Sequence, residues 1–275
     1  MIRLGTAGFS YKDWEGPVYP KPKPRDFDAL AFMSRLFSCI EMNVTFYRVP
    51  SAANVASWVE TVHERDDFRF TFKLYRGLTH GEEFETLAPF LDALRPCRDA
   101  GKLGALLAQF PFFFRNTLAN RAHLSRLAGA LEGWPVALEI RDRSWLTDPA
   151  LEFIGRLGLN LSAIDICQTE TSVPPGPLTT GPIGYVRLHG RNRDAWFDKK
   201  APVIEKYNYL YSTPELERWA GHVRAIASRT EATYVITNNH FAGKAVVNAI
   251  QLGRLLNQET PPPPPQLVAA YPDAF

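Results

Sequence analysis

Eight strand-like segments alternate with mostly helical segments along the chain, and this alternation constrains the fold more than any other feature of the sequence. The strand-like segments are short apolar runs, such as residues 2–7, 104–109 and 183–189, whereas the segments between them carry apolar residues at helical spacing. Strands and helices that alternate form a parallel sheet covered by helices, and eight such repeats over about 250 residues are typical of a (β/α)8 barrel. The sequence therefore predicts an α/β protein with a TIM-barrel-like fold.

Two segments depart from this alternation. Residues 166–182 are rich in Thr, Pro and Gly and have no helical period, so this crossover is predicted to lack a regular helix. Five consecutive prolines, Pro261 to Pro265, predict an extended spacer. We therefore expect a single TIM-barrel-like domain over residues 1–258. A proline-rich C-terminal extension, residues 259–275, is expected to pack across the barrel base or to be mobile.

Composition narrows the functional classes. The net charge is only +2, from 31 basic and 29 acidic residues, so no global signal for a polyanionic partner is present. The three cysteines, Cys39, Cys97 and Cys167, fit no metal-binding spacing and predict free or buried thiols in a reducing compartment. No basic and apolar leader opens the sequence, and no apolar stretch approaches the length of a membrane span. We expect a soluble cytoplasmic protein with no membrane partner.

Polar residues concentrate at one end of the predicted strands. Those that lie at or near the C-terminal ends are Glu41, Asn43, Lys73, Gln109, Glu139, Arg141, Asp165, Arg187, His189 and Asn239. Neighbouring strands are roughly 5 Å apart, and barrel enzymes place their chemistry at this end of the strands. The sequence therefore predicts that these side chains converge on a shared mouth that solvent can reach.

Several chemistries are compatible with this set. Lys73, if desolvated and close to Arg141 or Arg187, suits a general base or a Schiff base, whereas a Lys73 paired with Glu41 would stay charged. Two carboxylates such as Glu139 and Asp165 suit divided acid and base roles at a sugar carbon. The two arginines suit bidentate binding of a carboxylate or a phosphate.

Two other interpretations of the same residues stay open. A structural ion-pair network would stiffen the barrel mouth without catalysis. A divalent metal ion, as in sugar-isomerase-like barrels, would use Glu139, Asp165 and His189, which end consecutive strands, with His80 or His240 as further ligands. The further acid expected for such a site is missing, because the last strand ends in asparagines. We therefore predict no metal and no other cofactor.

Ordered motifs along the chain carry a family resemblance. They are Gly5-Thr6-Ala7-Gly8-Phe9-Ser10-Tyr11 with Trp14, the run from Glu41 to Pro50, Phe70-Thr71-Phe72-Lys73 with Thr79-His80, Gln109-Phe110-Pro111, Glu139-Ile140-Arg141 with Ser144-Trp145, Tyr185-Val186-Arg187-Leu188-His189-Gly190, and Asn238-Asn239-His240 with Ala245 and Asn248-Ala249. In these motifs the chain resembles the YecE-like family, domain of unknown function 72 (DUF72), over nearly its whole length before the prolines. The resemblance implies a TIM-barrel-like fold and implies no assigned reaction.

The sequence favours a cofactor-independent enzyme, a lyase, isomerase or hydrolase, that applies acid–base chemistry to a small anionic or polyhydroxylated, sugar- or phosphate-bearing substrate. The predicted catalytic residues are Lys73, Glu139, Asp165 and Glu41. The predicted substrate-binding residues are Asn43, Tyr47, His80, Gln109, Arg141, Trp145, Arg187, His189 and Asn239. The alternatives are a metal-dependent sugar-isomerase-like or hydrolase barrel, and a non-catalytic module. The module would bind a ligand or nucleic acid through the basic, aromatic loop of residues 190–212.

Overall fold

A computed structural model describes residues 1–275 and contains one sheet of nine parallel strand segments. The segments are β1 (Ile2–Ala7), β2 (Cys39–Met42), β3 (Arg69–Lys73), β4 (Leu103–Gln109), β5 (Val136–Glu139), β6 (Asn160–Leu161), β7 (Ala163–Asp165), β8 (Ile183–Leu188) and β9 (Ala232–Thr237). Their order in the sheet is β6-β5-β4-β3-β2-β1-β9-β8-β7.

The two edge segments close this sheet into a barrel. β6 pairs with β5, β7 pairs with β8, and only Ser162 separates β6 from β7 along the chain. The Ser162 backbone N–H donates to the Leu138 carbonyl at 2.9 Å, so the chain continues without leaving the sheet. β6 and β7 therefore act as one strand, and the structure confirms the predicted TIM-barrel-like (β/α)8 fold.

Helices lie between the strands, and the longer ones cover the outside of the barrel. They are α1 (Ala29–Leu36), α2 (Val44–Tyr47), α3 (Ala52–Thr61), α4 (Arg76–Thr79), α5 (Leu87–Asp99), α6 (Leu118–Ala130), α7 (Asp148–Arg156), α8 (Arg193–Phe197), α9 (Thr213–Ala227), α10 (Lys244–Leu255) and α11 (Pro265–Ala270). No helix forms between β7 and β8, which confirms the predicted irregular crossover. None of the helices combines the length and the apolar character needed to cross a bilayer.

Side chains alternate between the two faces of each strand, and this alternation separates two cores. Outward-facing residues such as Leu138 and Ile140 pack against the helices. The inward-facing residues of the lower barrel form a separate apolar cluster of Ala7, Cys39, Ala105, Leu107, Ala137, Tyr185, Tyr234 and Ile236. This cluster fills the barrel below the mouth, so the polar residues above it lie on a solid apolar floor.

The C-terminal extension follows the side of the barrel and does not lie across the base. Near the base, the Gln258 side chain donates to the Ile2 carbonyl at 3.0 Å. Further along, Leu267 in α11 is fully buried, and the Tyr271 hydroxyl donates to the Ala242 carbonyl at 2.8 Å, just beyond β9. The four prolines of residues 261–264 keep the chain extended, so it spans the flank of α10 between these two levels.

Candidate active site at the barrel mouth

Five strands each deliver an inward-facing polar side chain to the C-terminal mouth. They come from β2, β3, β4, β5 and β8 and are, in that order, Glu41, Lys73, Gln109, Glu139 and Arg187. In each strand, the residue two positions before the polar one also points inward and is apolar or carries a hydroxyl group. All of these strands pair in parallel, with a register irregularity between β3 and β4 at Phe70 and Thr71, and their C-terminal ends lie at the same end of the barrel.

Two carboxylates and two guanidinium groups form a continuous ladder across this mouth. The Arg187 Nε and Nη2 groups donate to Glu41 at 2.9 and 2.6 Å, and its Nη1 group donates to Glu139. Arg141 donates to the other Glu139 oxygen from Nε at 2.9 Å and contacts it from Nη2 at 2.8 Å. Because Glu41, Glu139 and Arg187 are almost completely buried, the ion pairs between them offset the cost of removing their charges from water.

Neutral groups hold the ladder in place. The Tyr185 hydroxyl donates to Glu41 at 2.8 Å and lies 2.8 Å from the Thr71 hydroxyl. The His189 ring accepts a hydrogen bond from the Asn238 amide on Nδ1 at 2.8 Å, which leaves its proton on Nε2, 3.4 Å from Glu139. Glu41 is therefore oriented by two groups of β8, whereas Glu139 is oriented by Arg141 just after β5 and by Arg187 and His189 on and just after β8.

The electrostatics of the ladder follow from this burial. Burial alone would raise the pKa of Glu139, but Arg187, His189 and Arg141 outweigh it and hold that pKa well below its usual value. Burial lowers the pKa of His189 to about 3, with Glu139 opposing and Arg187 adding to the shift. At neutral pH, Glu139 is an anion and His189 a neutral ring, so neither exchanges a proton readily.

Lys73 is the one cation at the mouth without a carboxylate partner. Both carboxylates are occupied by Arg141 and Arg187, and the Lys73 ammonium lies 3.8 Å above the centre of the Phe46 ring. Burial lowers the pKa of Lys73 to about 7, with further lowering by the Arg187 and Arg141 charges against the opposing effect of Glu139. Lys73 therefore exchanges a proton at neutral pH.

A cavity of about 710 Å³ opens above the ladder. Its polar floor contains Asn43, Lys73, Gln109, Arg141, Arg187 and Asn238. Its walls are mainly aromatic and include Phe9, Tyr11, Phe46, Tyr47, Trp58 and Tyr207. A volume of this size, apolar with a few convergent polar groups, is typical of a small-molecule site.

One wall of the cavity is a stack of three rings. The His240 ring lies between Tyr11 and Tyr207, with centroid distances of 4.3 and 4.7 Å. Burial lowers the pKa of His240 to about 4, so the ring is neutral, and its Nδ1 atom has no hydrogen-bond partner. The Asn43 Oδ1 atom is also buried without a partner. Both residues line the cavity, but these two atoms are shielded from it.

Most of the predicted site residues come together here. Those that line the cavity are Asn43, Tyr47, Lys73, Gln109, Arg141 and Arg187. Three others, Glu41, Glu139 and His189, are fully buried beneath it and belong to the ladder or support it.

Two residues that were predicted to lie at the mouth, Asp165 and Asn239, face the outside of the barrel instead. Asp165 accepts from Arg191 at 2.8 Å and from the Trp219 indole of α9 at 2.8 Å, because it shares a strand face with Leu161 and Ala163, which pack outward. Asn239 donates to Asn248 of α10, whereas the preceding Asn238 points into the mouth.

Two further predicted residues lie close to the mouth without lining it. The Trp145 indole is fully buried, donates to the Phe114 carbonyl at 2.9 Å and stacks on the Phe114 ring. His80 is exposed to solvent behind Phe46, with ring centroids 5.2 Å apart, and its Nδ1 atom lies 2.9 Å from the Thr79 hydroxyl. Trp145 supports the loop after β5, and His80 supports the ring beneath Lys73.

The loop of residues 190–212 forms another wall that the strand pattern did not identify. Val203, Ile204 and Tyr207 line the cavity from this loop. Trp196 packs edge-on against Phe112 and Tyr207, so its ring anchors the loop to the barrel. The aromatic content of the loop was the only sequence signal for these contacts.

The ligand set considered for a metal ion does not assemble. Asp165 faces outward, and both oxygens of Glu139 accept from guanidinium groups. No cluster of three or more His, Cys, Asp or Glu side chains in residues 1–275 is arranged to hold a metal ion. Glu139, Asp165 and His189 therefore do not form a metal site in this geometry.

Comparison with known families finds one match across the chain. A family model described as protein of unknown function DUF72 matches residues 3–269. The UPF0759 protein YunF of Bacillus subtilis is 32% identical, covering 94% of this chain and 96% of the relative. The UPF0759 protein YecE of Escherichia coli K12 is 25% identical, covering 80% of this chain and 74% of the relative.

Solved structures agree with this match. A DUF72 family protein from Thermotoga maritima superposes with a TM-score of 0.81 at 31% identity, covering 94% of this chain and 100% of the other. A DUF72 family protein from Enterococcus faecalis superposes with a TM-score of 0.83 at 28% identity, covering 96% of this chain and 98% of the other.

Proposed function

This chain belongs to the DUF72 family, and on that premise we propose that it is an enzyme that transfers protons on a small polar substrate bound at the barrel mouth. One observation carries the proposal. Lys73 has no carboxylate partner, lies on the floor of a cavity, and has a pKa lowered to about 7. An amine that desolvation and neighbouring cations bring near neutral pH suits general acid–base catalysis, because it is present in both protonation states.

The ladder has a positioning role in this proposal. Glu41 and Glu139 hold Arg187 and Arg141 on the floor of the cavity, and their own oxygens are occupied by these contacts. The positive groups next to Lys73 are therefore fixed in position. They keep the Lys73 amine neutral for part of the time, and Arg141 can bind an anionic part of the substrate. Glu139 acts here as a permanent anion and not as the proton donor.

The cavity suggests the class of substrate. The charges of the two arginines balance those of the two glutamates. When Lys73 is protonated, the floor therefore has one excess positive charge, which favours an anionic group on the ligand. The amide side chains of Asn43 and Gln109 line the cavity and suit hydrogen bonds to hydroxyl groups. A small anionic or polyhydroxylated molecule satisfies both requirements.

Proton transfer can be tested without knowing the substrate. Purified protein is incubated in D2O with a metabolite mixture, and mass spectrometry follows consumption and deuterium incorporation. We expect at least one metabolite to change, and the rate to fall about 100-fold or more in Lys73→Met, the range of a lost acid–base group. Lys199→Met, at an exposed position of the 190–212 loop, is the matched control and should keep the full rate.

Two results would contradict this proposal. One is that the wild-type protein changes no metabolite, and the other is that Lys73→Met retains the wild-type rate. The non-catalytic alternative predicts nucleic-acid binding with a steep salt dependence that Glu139→Gln leaves unchanged. We do not favour this alternative, because Trp196 and Tyr207 pack against other rings of the barrel mouth and do not project from the loop.

A further inference from the structure

We propose that the Lys73 amine forms an imine with its substrate, which is therefore an aldehyde or ketone carrying at least one hydroxyl group. This inference rests on the proposed function and deepens it, because it assigns Lys73 a covalent role in addition to proton transfer. It would place the reaction among those that remove a proton from, or break a bond at, the carbon next to the imine.

The first support is the position of the amine. The Lys73 backbone is held at the end of β3, where the Thr45 hydroxyl donates to the Lys73 carbonyl at 2.6 Å. The side chain then extends along the face of Phe46 onto the cavity floor, where it has no hydrogen bond or ion pair with the protein. An amine held in this way presents its lone pair to a molecule in the cavity and not to a carboxylate.

The second support is the arrangement of charge. Arg187 is shared between Glu41 and Glu139, and Arg141 takes the remaining Glu139 oxygen. Had either carboxylate been left free, it would stabilise the Lys73 ammonium and remove its nucleophilic character. The ladder instead confines the negative charge and leaves guanidinium groups beside the amine, which is the environment of a nucleophilic lysine.

The third support is the set of groups around the amine. The walls around the amine are mainly aromatic, and an apolar environment favours the neutral, nucleophilic form of the amine. The amide side chains of Asn43 and Gln109 line this cavity. A hydroxyl group on the substrate can hydrogen-bond to these amides.

The proposed step balances as follows. The Lys73 nitrogen attacks the carbonyl carbon, a C–N bond forms, and the carbonyl π electrons move to oxygen. The oxygen takes up the proton that the nitrogen loses and a second proton from solvent, and it leaves as water. The product is a protonated imine, and hydrolysis returns the amine. No oxidant, reductant or cofactor is consumed.

Reductive trapping tests the inference. The full-length protein is incubated at pH 7 with glyceraldehyde and sodium cyanoborohydride, and peptide mass spectrometry measures the adduct at each lysine. With a pKa near 7, about half of Lys73 is neutral, compared with roughly one in three thousand of an ordinary lysine at 10.5. We expect Lys73 to be labelled at least tenfold faster than Lys199, which is exposed in the same protein and serves as the internal control.

A second measurement uses any metabolite that the wild-type protein consumes. With cyanoborohydride present, this metabolite should leave its mass less one oxygen on Lys73. The inference is overturned if Lys73 is labelled no faster than Lys199, or if a consumed metabolite leaves no adduct. If turnover still requires Lys73 in that case, the proposed proton transfer stands without the imine. If glyceraldehyde labels Lys73 but no metabolite is consumed, the proposed function fails instead.

Discussion

Replacing Lys73 by Met should stabilise the folded protein, and the gain should shrink as the pH rises. The folded structure holds the Lys73 ammonium in a partly apolar cavity without a counter-ion, whereas the unfolded chain exposes it to water. Met has a similar length, packs favourably on the Phe46 ring, and carries no charge to desolvate.

The size and sign of the effect follow from the pKa. The pKa of Lys73 falls from 10.5 in a free side chain to about 7 in the folded protein, so the unfolded chain binds this proton more tightly. Stability is therefore lost as the pH falls from 10.5 to 7, at about 1.4 kcal/mol per pH unit. This gives a cost of about 4–5 kcal/mol at pH 6 and about 1 kcal/mol at pH 10. The cation–π contact with Phe46 offsets roughly 1 kcal/mol of it.

Urea unfolding of the wild-type protein and Lys73→Met at pH 6 and pH 10 measures this difference. We expect the variant to be more stable by about 3–4 kcal/mol at pH 6, and the two proteins to converge at pH 10. Lys199→Met, at an exposed lysine, controls for the loss of a positive charge and should show no such trend. A difference between Lys73→Met and wild type that is the same at both pH values, or that grows with pH, would refute the reasoning.

Three substitutions test the packing of the fold, each by thermal and urea unfolding. Arg187→Met removes the ion-pair partner of buried Glu41 and leaves Glu139 with Arg141 alone, so it should lower the free energy of unfolding by about 3–5 kcal/mol. Much of this loss should return when both carboxylates are also changed to Gln, and no return would argue against the ladder. Gly5→Ala would place a methyl group 1.8 Å from the Cys39 carbonyl oxygen and should lower the free energy of unfolding by about 3 kcal/mol or more. A neutral effect would contradict the close approach of β1 and β2. Leu267→Ala should lower the free energy of unfolding by about 2–4 kcal/mol, because this side chain is fully buried. Val268→Ala, at a partly exposed position, should lower it much less. Equal effects would mean that the extension does not pack as described.

The strand periodicity explains why most of the mouth could be predicted. Glu41, Lys73, Glu139 and Arg187 each stand at the end of an apolar run with a clear two-residue alternation, so the sequence determines both their level and their face. The same alternation also contained the information that Asp165 faces outward, because it is in phase with Leu161. Lying near a strand end is therefore not sufficient to bring a side chain into the mouth, and the predicted inward direction of Asp165 is wrong.

Other features depend on distances across the barrel, which a sequence does not contain. Glu139 pairs with Arg187 and Arg141 and not with Lys73. This pairing depends on how the strands close around the barrel axis. The aromatic walls are equally remote in sequence, since Tyr11 and Tyr207 meet on His240 from three separate loops. Such a stack has no periodic signature.

The ladder has a consequence for ligand selection. Its two anions and two cations are tied to one another, so they contribute a fixed and balanced set of charges to the cavity floor. Lys73 is then the single variable charge, and the protonation of one amine sets the sign of the local field. Below neutrality the pocket should discriminate in favour of anions, and above it in favour of uncharged molecules, so that a change of pH alone would alter which ligands it prefers.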